Sequence, residues 1–399
     1  MTRARLATWS GRPAALALAV ALAAGCGTDH HEPATPASRA AIVDAAQLDP
    51  GNYPVVPRTI QGHRPDITVG DLVQESIRMA EHVPLALDID GRLVFNNSAH
   101  AITADYPPMS IDNFNERAPG LISGWESGGR HRSDTTLGLN VDITVLRFAK
   151  PEQATAAGKF LVGLASPDYP DKGPVQIPGY PTAKAALNSL ESVKATYAQD
   201  NYLYWLHVED DLTVPEGPGV LLDAAKVFLD KTIESMKDYR PTPPDQLSGL
   251  LADPDDLLSR TLPPGKGQIW ATEGLYGPHA ALTLDDRPAV TRRAFDENGV
   301  DLVAHALTGV YRTRDAVGAQ RLTGTFVDEL ADRYKPIDPP PGLATARCLQ
   351  LKDEKTSAGA KFMCYLPYNH YVAEVYADQS QDLRQRLSAQ YYLLAYGHI

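Results

Sequence analysis

Cys348 and Cys364 flank a stretch that reads as two short strands, 344–351 and 361–368, joined at the turn Lys355-Thr356-Ser357-Ala358-Gly359. Folding that hairpin about its turn sets the two cysteines opposite each other, close enough for a disulfide. An even pair of cysteines in an exported chain is by default oxidised, and no neighbouring ligands show zinc spacing. Other reactive side chains are scattered. His131, His279, His305 and His370, with Asp88, Asp90 and Asp105, are the candidates for acid–base work, but none lies in a recognised catalytic pattern. There is no G-x-S-x-G, H-E-x-x-H, G-x-G-x-x-G or C-x-x-C. His279 follows Gly277-Pro278 and His370 follows Tyr368-Asn369, turn positions where a histidine is ordinarily just exposed. Asp88-Ile89-Asp90-Gly91 begins like a calcium loop, yet Arg92-Leu93-Val94 adds no oxygen ligand. No metal, cofactor or catalytic residue is therefore expected, while a composite site from distant residues stays open.

Two further groups could bind rather than react. Tyr202, Tyr204 and Trp205 fall on one strand, and Tyr365, Tyr368, Tyr371 and Tyr376 on the corresponding part of a second copy. Tyrosines give large contact area with a polar tip, so they could line a groove; ordinary core packing is the alternative. The loop Gly128-Gly129-Arg130-His131-Arg132-Ser133 could hold an anion through backbone N–H groups and the guanidinium groups of Arg130 and Arg132. It lacks P-loop spacing, and a solvated hairpin tip is the better explanation.

Cys26 carries a different chemistry. Arg3, Arg5 and Arg12 precede the apolar run 14–24, too short to span a bilayer, which ends in Leu22-Ala23-Ala24-Gly25-Cys26. This resembles a lipobox, although Ala23 stands where the commonest form has leucine. The expectation is a signal peptide over 1–25, cleavage before Cys26, and lipid on that cysteine. Residues 26–40, polar and proline-containing, read as a tether with His30-His31 on it, offering no fixed metal geometry. The partner so implied is the membrane, and the location the extracytoplasmic face of the cell membrane.

The elements that must position these groups form a repeated order. A proline-rich stretch, 239–267, separates two halves, 41–238 and 268–399, and reads as a linker. In each half an apolar strand ends in a basic residue, at Arg147 and Arg312; an alanine-rich helix pattern follows, 151–164 and 315–330. Short strands come next, 186–194 with 202–208, and 344–351 with 361–366 and 371–376, before a closing amphipathic helix, 221–236 and 381–394. The order predicts two similar α+β domains from internal duplication, each an antiparallel sheet covered on one face by helices. Leu190 and Tyr204 are expected where the second copy has its cysteines. A formal charge of -12 and a pI near 5.4 argue against nucleic acid as a partner.

Leu48-Asp49-Pro50-Gly51-Asn52-Tyr53-Pro54, the segment 75–82 with Arg78-Met79-Ala80, and Tyr276-Gly277-Pro278-His279-Ala280-Ala281 accompany the lipobox. Together they resemble a two-domain lipoprotein family of mycobacteria, nocardiae and rhodococci. That resemblance implies an envelope location and paired domains but no activity, because the family's function is unknown. Three readings follow: a non-enzymatic binder of an envelope lipid, glycan, peptide or partner protein; a hydrolase or transferase acting on envelope polymers; and a structural or sensory module. A cleft gathering ionisable groups with shifted pKa values would favour the second, a broad apolar patch the third. If Cys26 is the lipid attachment site, Cys26→Ala is expected to leave the protein uncleaved or shed into the medium, measured by membrane fractionation. Unchanged processing and retention would refute the assignment.

Overall fold

Residues 139–148 bury Ile143 and Val145 on one alternating face and Leu146 and Phe148 on the other, so the strand they form needs cover on both sides. The computed structural model describes residues 43–60, 66–108, 111–133, 137–164, 170–188, 192–212, 218–265, 270–353 and 359–397. Cys26 with its signal and tether, Leu190, and the turn residues 355–358 lie outside them. The helices are α1 (Val69–Ala80), α2 (Ala86–Ile89), α3 (Phe114–Arg117), α4 (Pro151–Val162), α5 (Gly219–Met236), α6 (Pro278–Thr283), α7 (Pro288–Asn298), α8 (Ala316–Glu329) and α9 (Ser380–Ala395).

Two antiparallel sheets carry the fold. The first contains β1 (Phe95–Asn96), β2 (His100–Ile102), β3 (Leu121–Arg130), β4 (Leu139–Phe148), β5 (Asp171–Val175), β6 (Lys184–Asn188), β7 (Val193–Gln199) and β8 (Tyr202–Asp210). Its order is β1-β3-β4-β8-β7-β6-β5, with β2 also on β3. The second contains β9 (Gly274–Tyr276), β10 (Leu302–His305), β11 (Gly309–Arg312), β12 (Tyr334–Ile337), β13 (Arg347–Leu351), β14 (Phe362–Tyr368) and β15 (Tyr371–Ala377), ordered β9-β10-β11-β15-β14-β13-β12. Apart from β1, the two orders are the same. Registers correspond as well: Arg147 lies opposite Tyr202 as Arg312 lies opposite Tyr371. The turns before β8 and β15 each hold a left-handed residue, Asp200 at φ 52° and Asn369 at φ 50°. The N–H groups of Phe148 and Thr313 donate to Asn201 and His370 carbonyls, each at 2.8 Å.

Several expectations need correction. Residues 186–194 are not one strand but the end of β6 and the start of β7. Following the registers, the counterparts of Cys348 and Cys364 are Ala185 and Ala195, which pair directly, rather than Leu190 and Tyr204. The cysteines themselves are opposite each other and disulfide-bonded, with Cα atoms 4.1 Å apart. Helices cover both faces of each sheet, not one. In the first sheet α4 packs over Leu146, Phe148 and Leu203, while α1 and α5 pack on the other face. In the second, α7 and α8 cover Tyr311 and Tyr365, and α9 covers the disulfide face. Central strands that are apolar on both sides demand this arrangement.

The two halves lie within one compact unit of the described residues. One core runs from Trp125, Val145 and Phe228 of the first half to Tyr276, Phe295 and Phe326 of the second. Trp125 and Tyr276 meet edge to face at 6.2 Å. The proline-rich stretch is anchored, with Tyr239, Leu247, Leu257, Leu258 and Leu262 buried. Its few leucines supply the apolar contact that its prolines leave possible. Residues 43–60 also cross the expected boundary: Tyr53 donates to Asp382 of α9 at 2.5 Å and accepts from Arg386 at 3.0 Å. Gly51, at φ 56°, makes the turn that brings them there.

Glu75 on α1 joins these pieces. It has no solvent exposure, and its carboxylate accepts from Arg78 at 2.7 Å and Arg147 at 3.2 Å. It also accepts from the Tyr239 hydroxyl at 2.5 Å and from the Thr242 N–H and hydroxyl at 2.8 and 2.7 Å. Removing it would leave Arg147, itself 4% exposed, as an uncompensated charge. Glu75→Ala is expected to cost about 3–5 kcal/mol in denaturant unfolding, lost in a single transition spanning both halves. A loss below about 1 kcal/mol, or two separate transitions, would contradict this account.

Candidate functional site

A cavity of about 370 Å³ lies between the second sheet and the layer of α6, α7 and α8. The register explains how it forms. His305, Gly309, Glu374 and Tyr365 make one row across β10, β11, β15 and β14, on the face toward α8. Gly309 has no side chain to fill the row between His305 and Glu374, and a Cβ there would come within 3.4 Å of Glu374 Oε2. Asp285, in the turn between α6 and α7, reaches the same space from the helical layer.

Three titratable groups meet there, each shifted toward its neutral form. Burial raises the pKa of Glu374, and the nearby Asp285 carboxyl adds to the shift, against the hydroxyls of Tyr311 and Tyr365. Those hydroxyls donate to Glu374 Oε2 at 2.7 Å and Oε1 at 3.0 Å, so both carboxyl oxygens are engaged. Burial also raises Asp285, helped by Asp286 and Glu329, although the Arg287 N–H donates to it at 2.7 Å. His305 is lowered by burial. Its Nδ1 lies 3.0 Å from the Thr272 carbonyl, which can only accept, so Nδ1 carries the proton and Nε2 keeps its lone pair. All three groups are largely buried and line the cavity. Tyr376, Gly359 and Ala360 also border a neighbouring open groove of about 730 Å³ that holds Trp270, Asp382 and Arg386.

The sequence candidates distribute unevenly. His305 is the scattered histidine that reaches the cavity. His279 begins α6 rather than a turn and donates through Nε2 to the Val83 carbonyl at 2.8 Å. His370 lies in its turn against Tyr371, ring centres 4.0 Å apart. The expected tyrosine groove does not form one surface. Tyr202 and Tyr204 face the core shared with Tyr239 and Tyr197, whereas Trp205 faces the opposite side, because strand neighbours alternate. Tyr365 holds Glu374, and Tyr368 packs edge to face on Tyr391 of α9 at 5.7 Å. Arg130 is engaged with Asp286 of the second half at 2.5 Å, while His131 and Arg132 are exposed. Asp90 pairs with Arg92 and Asp88 with Arg292.

Sequence reasoning missed Asp285, Glu374 and Tyr311. Each lies in an ordinary apolar or charged context, and no local motif marks them. It also missed an arrangement on the first sheet: His207 Nε2 lies 3.0 Å from Ser192 Oγ, and His207 Nδ1 lies 3.6 Å from Asp142. The order is that of a nucleophile, base and acid. Ser192 is only 1% exposed, however, and its N–H is capped by Asn188 at 2.9 Å, so it is a hairpin position rather than a nucleophile.

Glu126 on β3 is the first sheet's strongly shifted carboxyl. Burial, with the Asp142 charge, pushes it up to about 7, against a hydrogen bond from Thr144. A folded-state pKa above the usual 4.5 means the native state holds the proton longer than the unfolded chain. Its stabilising share is therefore complete below about 4.5 and lost as pH rises through about 7. Glu126→Gln is expected to match wild type below pH 4.5 and to be more stable above pH 7, by about 3 kcal/mol at most, in urea titrations at both pH values. An equal difference at both would rule out the titration.

Comparison with known proteins places two models of one family on the chain. The N-terminal model of a domain of unknown function, DUF7373, matches residues 62–252, and its C-terminal model matches 257–397. No curated protein matches. Among solved structures, the extracellular domain of PknH from Mycobacterium tuberculosis is similar at a TM-score of 0.30 and 11% identity. That match covers 43% of this chain and 100% of the other.

Proposed function

The chain belongs to DUF7373, a family of unknown function, and we propose from its own residues that it is an envelope lipoprotein binding a neutral, hydroxyl-rich ligand such as a glycan unit. The second-half cavity is the binding place. The observation that carries this reading is the shift of Glu374, Asp285 and His305 toward neutral forms inside one cavity. Neutral carboxyl, imidazole and phenol groups both donate and accept, which matches hydroxyl groups better than a charged ligand. The adjoining groove with Trp270 would take further units of a longer molecule. Export supports the same reading: the Cys348–Cys364 disulfide suits an oxidising compartment, and the lipobox-like segment supplies an anchor at Cys26. The reading extends the resemblance to lipoproteins of mycobacteria, nocardiae and rhodococci.

A second reading, glycoside hydrolysis, is favoured by Asp285 and Glu374 sharing one cavity. Binding ranks ahead of it because both Glu374 oxygens are already held by tyrosine hydroxyls. Calorimetry with a panel of mono- to tetrasaccharides is expected to find a binder whose affinity falls at least tenfold in Glu374→Gln and in Gly309→Val, whose side chain would press on the Glu374 carboxyl. The recovered sugar is expected to be intact. Release of shorter sugars would replace binding by hydrolysis, and binding indifferent to both variants would remove the cavity from consideration.

A further inference from the structure

Because the sheets correspond in register, every position of the cavity row has a counterpart in the first sheet. The row Gly274, His305, Gly309, Glu374, Tyr365 is matched by His100, Glu126, Thr144, Trp205, Thr196. Both rows lie on the face covered by the helix that follows the second of the long paired strands, α4 in one half and α8 in the other. In both halves this row holds buried ionisable side chains.

We propose that the row His100–Glu126–Thr144–Trp205 is a second binding site, for a hydroxyl-bearing ligand of the same class, so that the duplicated fold presents two related sites. The assignment of ligand class rests on the function proposed above; the site itself rests on unmet hydrogen-bonding groups. His100 Nε2 and Trp205 Nε1 are both buried with no hydrogen-bond partner among the described residues. A buried polar atom without a partner is costly and rare in a native protein. Glu126, between them in the sheet, receives one bond of 3.3 Å from Thr144. In the second half the matching positions are satisfied internally, Glu374 by two tyrosines and His305 by a carbonyl.

The unmet groups define what would meet them. The indole N–H of Trp205 needs an acceptor, and Glu126 and His100 can each exchange donor and acceptor roles with a hydroxyl. His100 is held toward its neutral form by burial, which disfavours an anion as its partner. The same face continues to Asp142, His207 and Glu209, all partly exposed, and the two carboxylates there disfavour phosphate or carboxylate ligands.

The test is a titration of the same saccharide panel into isotopically labelled protein, following the tryptophan indole N–H resonances, with Trp205 assigned by Trp205→Phe. Calorimetry gives the number of sites. The expected result is a shift of the Trp205 resonance and two sugars bound per chain, falling to one in Trp205→Phe and in Glu126→Gln. The remaining sugar should be the one sensitive to Glu374→Gln. One sugar per chain, lost in Glu374→Gln and indifferent to Trp205→Phe, would overturn this second site while leaving the cavity reading intact. One sugar lost only in Trp205→Phe and Glu126→Gln would do the reverse. A Trp205 resonance unmoved by every sugar in the panel would overturn it outright.

Discussion

Glu75 is a carboxylate with no solvent exposure, placed where a helix, a central strand and a proline-rich return segment converge. A charge in that position is tolerable only if its oxygens find donors, and five donors from four residues provide them. Satisfying it fixes α1 against β4, fixes the chain after α5 through Tyr239, and fixes the proline-rich stretch through Thr242. With α1 so held, Gln74 can pair its amide with both backbone groups of Leu275 at the edge of β9, at 3.0 and 3.2 Å. One buried carboxylate thus determines how the first sheet meets the second.

The rest of the seam follows from the same position of α1. Asn96 donates to the carbonyls of Leu282 and Asp285, each at 2.8 Å, and so braces the turn that carries a cavity carboxyl. Arg130 holds the neighbouring Asp286. The first half therefore contributes to the shape of the second half's cavity without lining it. Burial of the cavity's carboxyls is the main physical source of their displaced protonation.

Duplication put the same strip of sheet at the disposal of both halves, and the side chains along it diverged. Glu374 lies between two tyrosines that each donate to one of its oxygens, while Trp205 at the corresponding position has an indole N–H with no partner among the described residues and the neighbouring Glu126 receives one bond. Alternation also explains why the tyrosine cluster dissolved on folding. Tyr204 and Trp205 are adjacent in sequence and therefore on opposite faces, so a run of aromatic letters could not be a single surface.

Hydrophobic period and cysteine spacing made the elements legible: helices 219–236, 316–329 and 380–395, the repeated order, and the disulfide hairpin follow from local pattern. Those features depend on neighbours a few residues apart, or on a short hairpin whose turn is written between its strands. Packing between the halves was not legible. Leucines within a proline-rich stretch look like interruptions of a linker until their partners on the other half are present. The segment 43–60 likewise belongs in space to α9, more than three hundred residues away. Asp285 and Glu374 became a pair only because the turn before α7 and β15 border the same cavity. Local sequence determined the main elements, their order and the disulfide hairpin; the burial of specific polar groups by distant chain decided where the halves meet and which groups gather in the cavity.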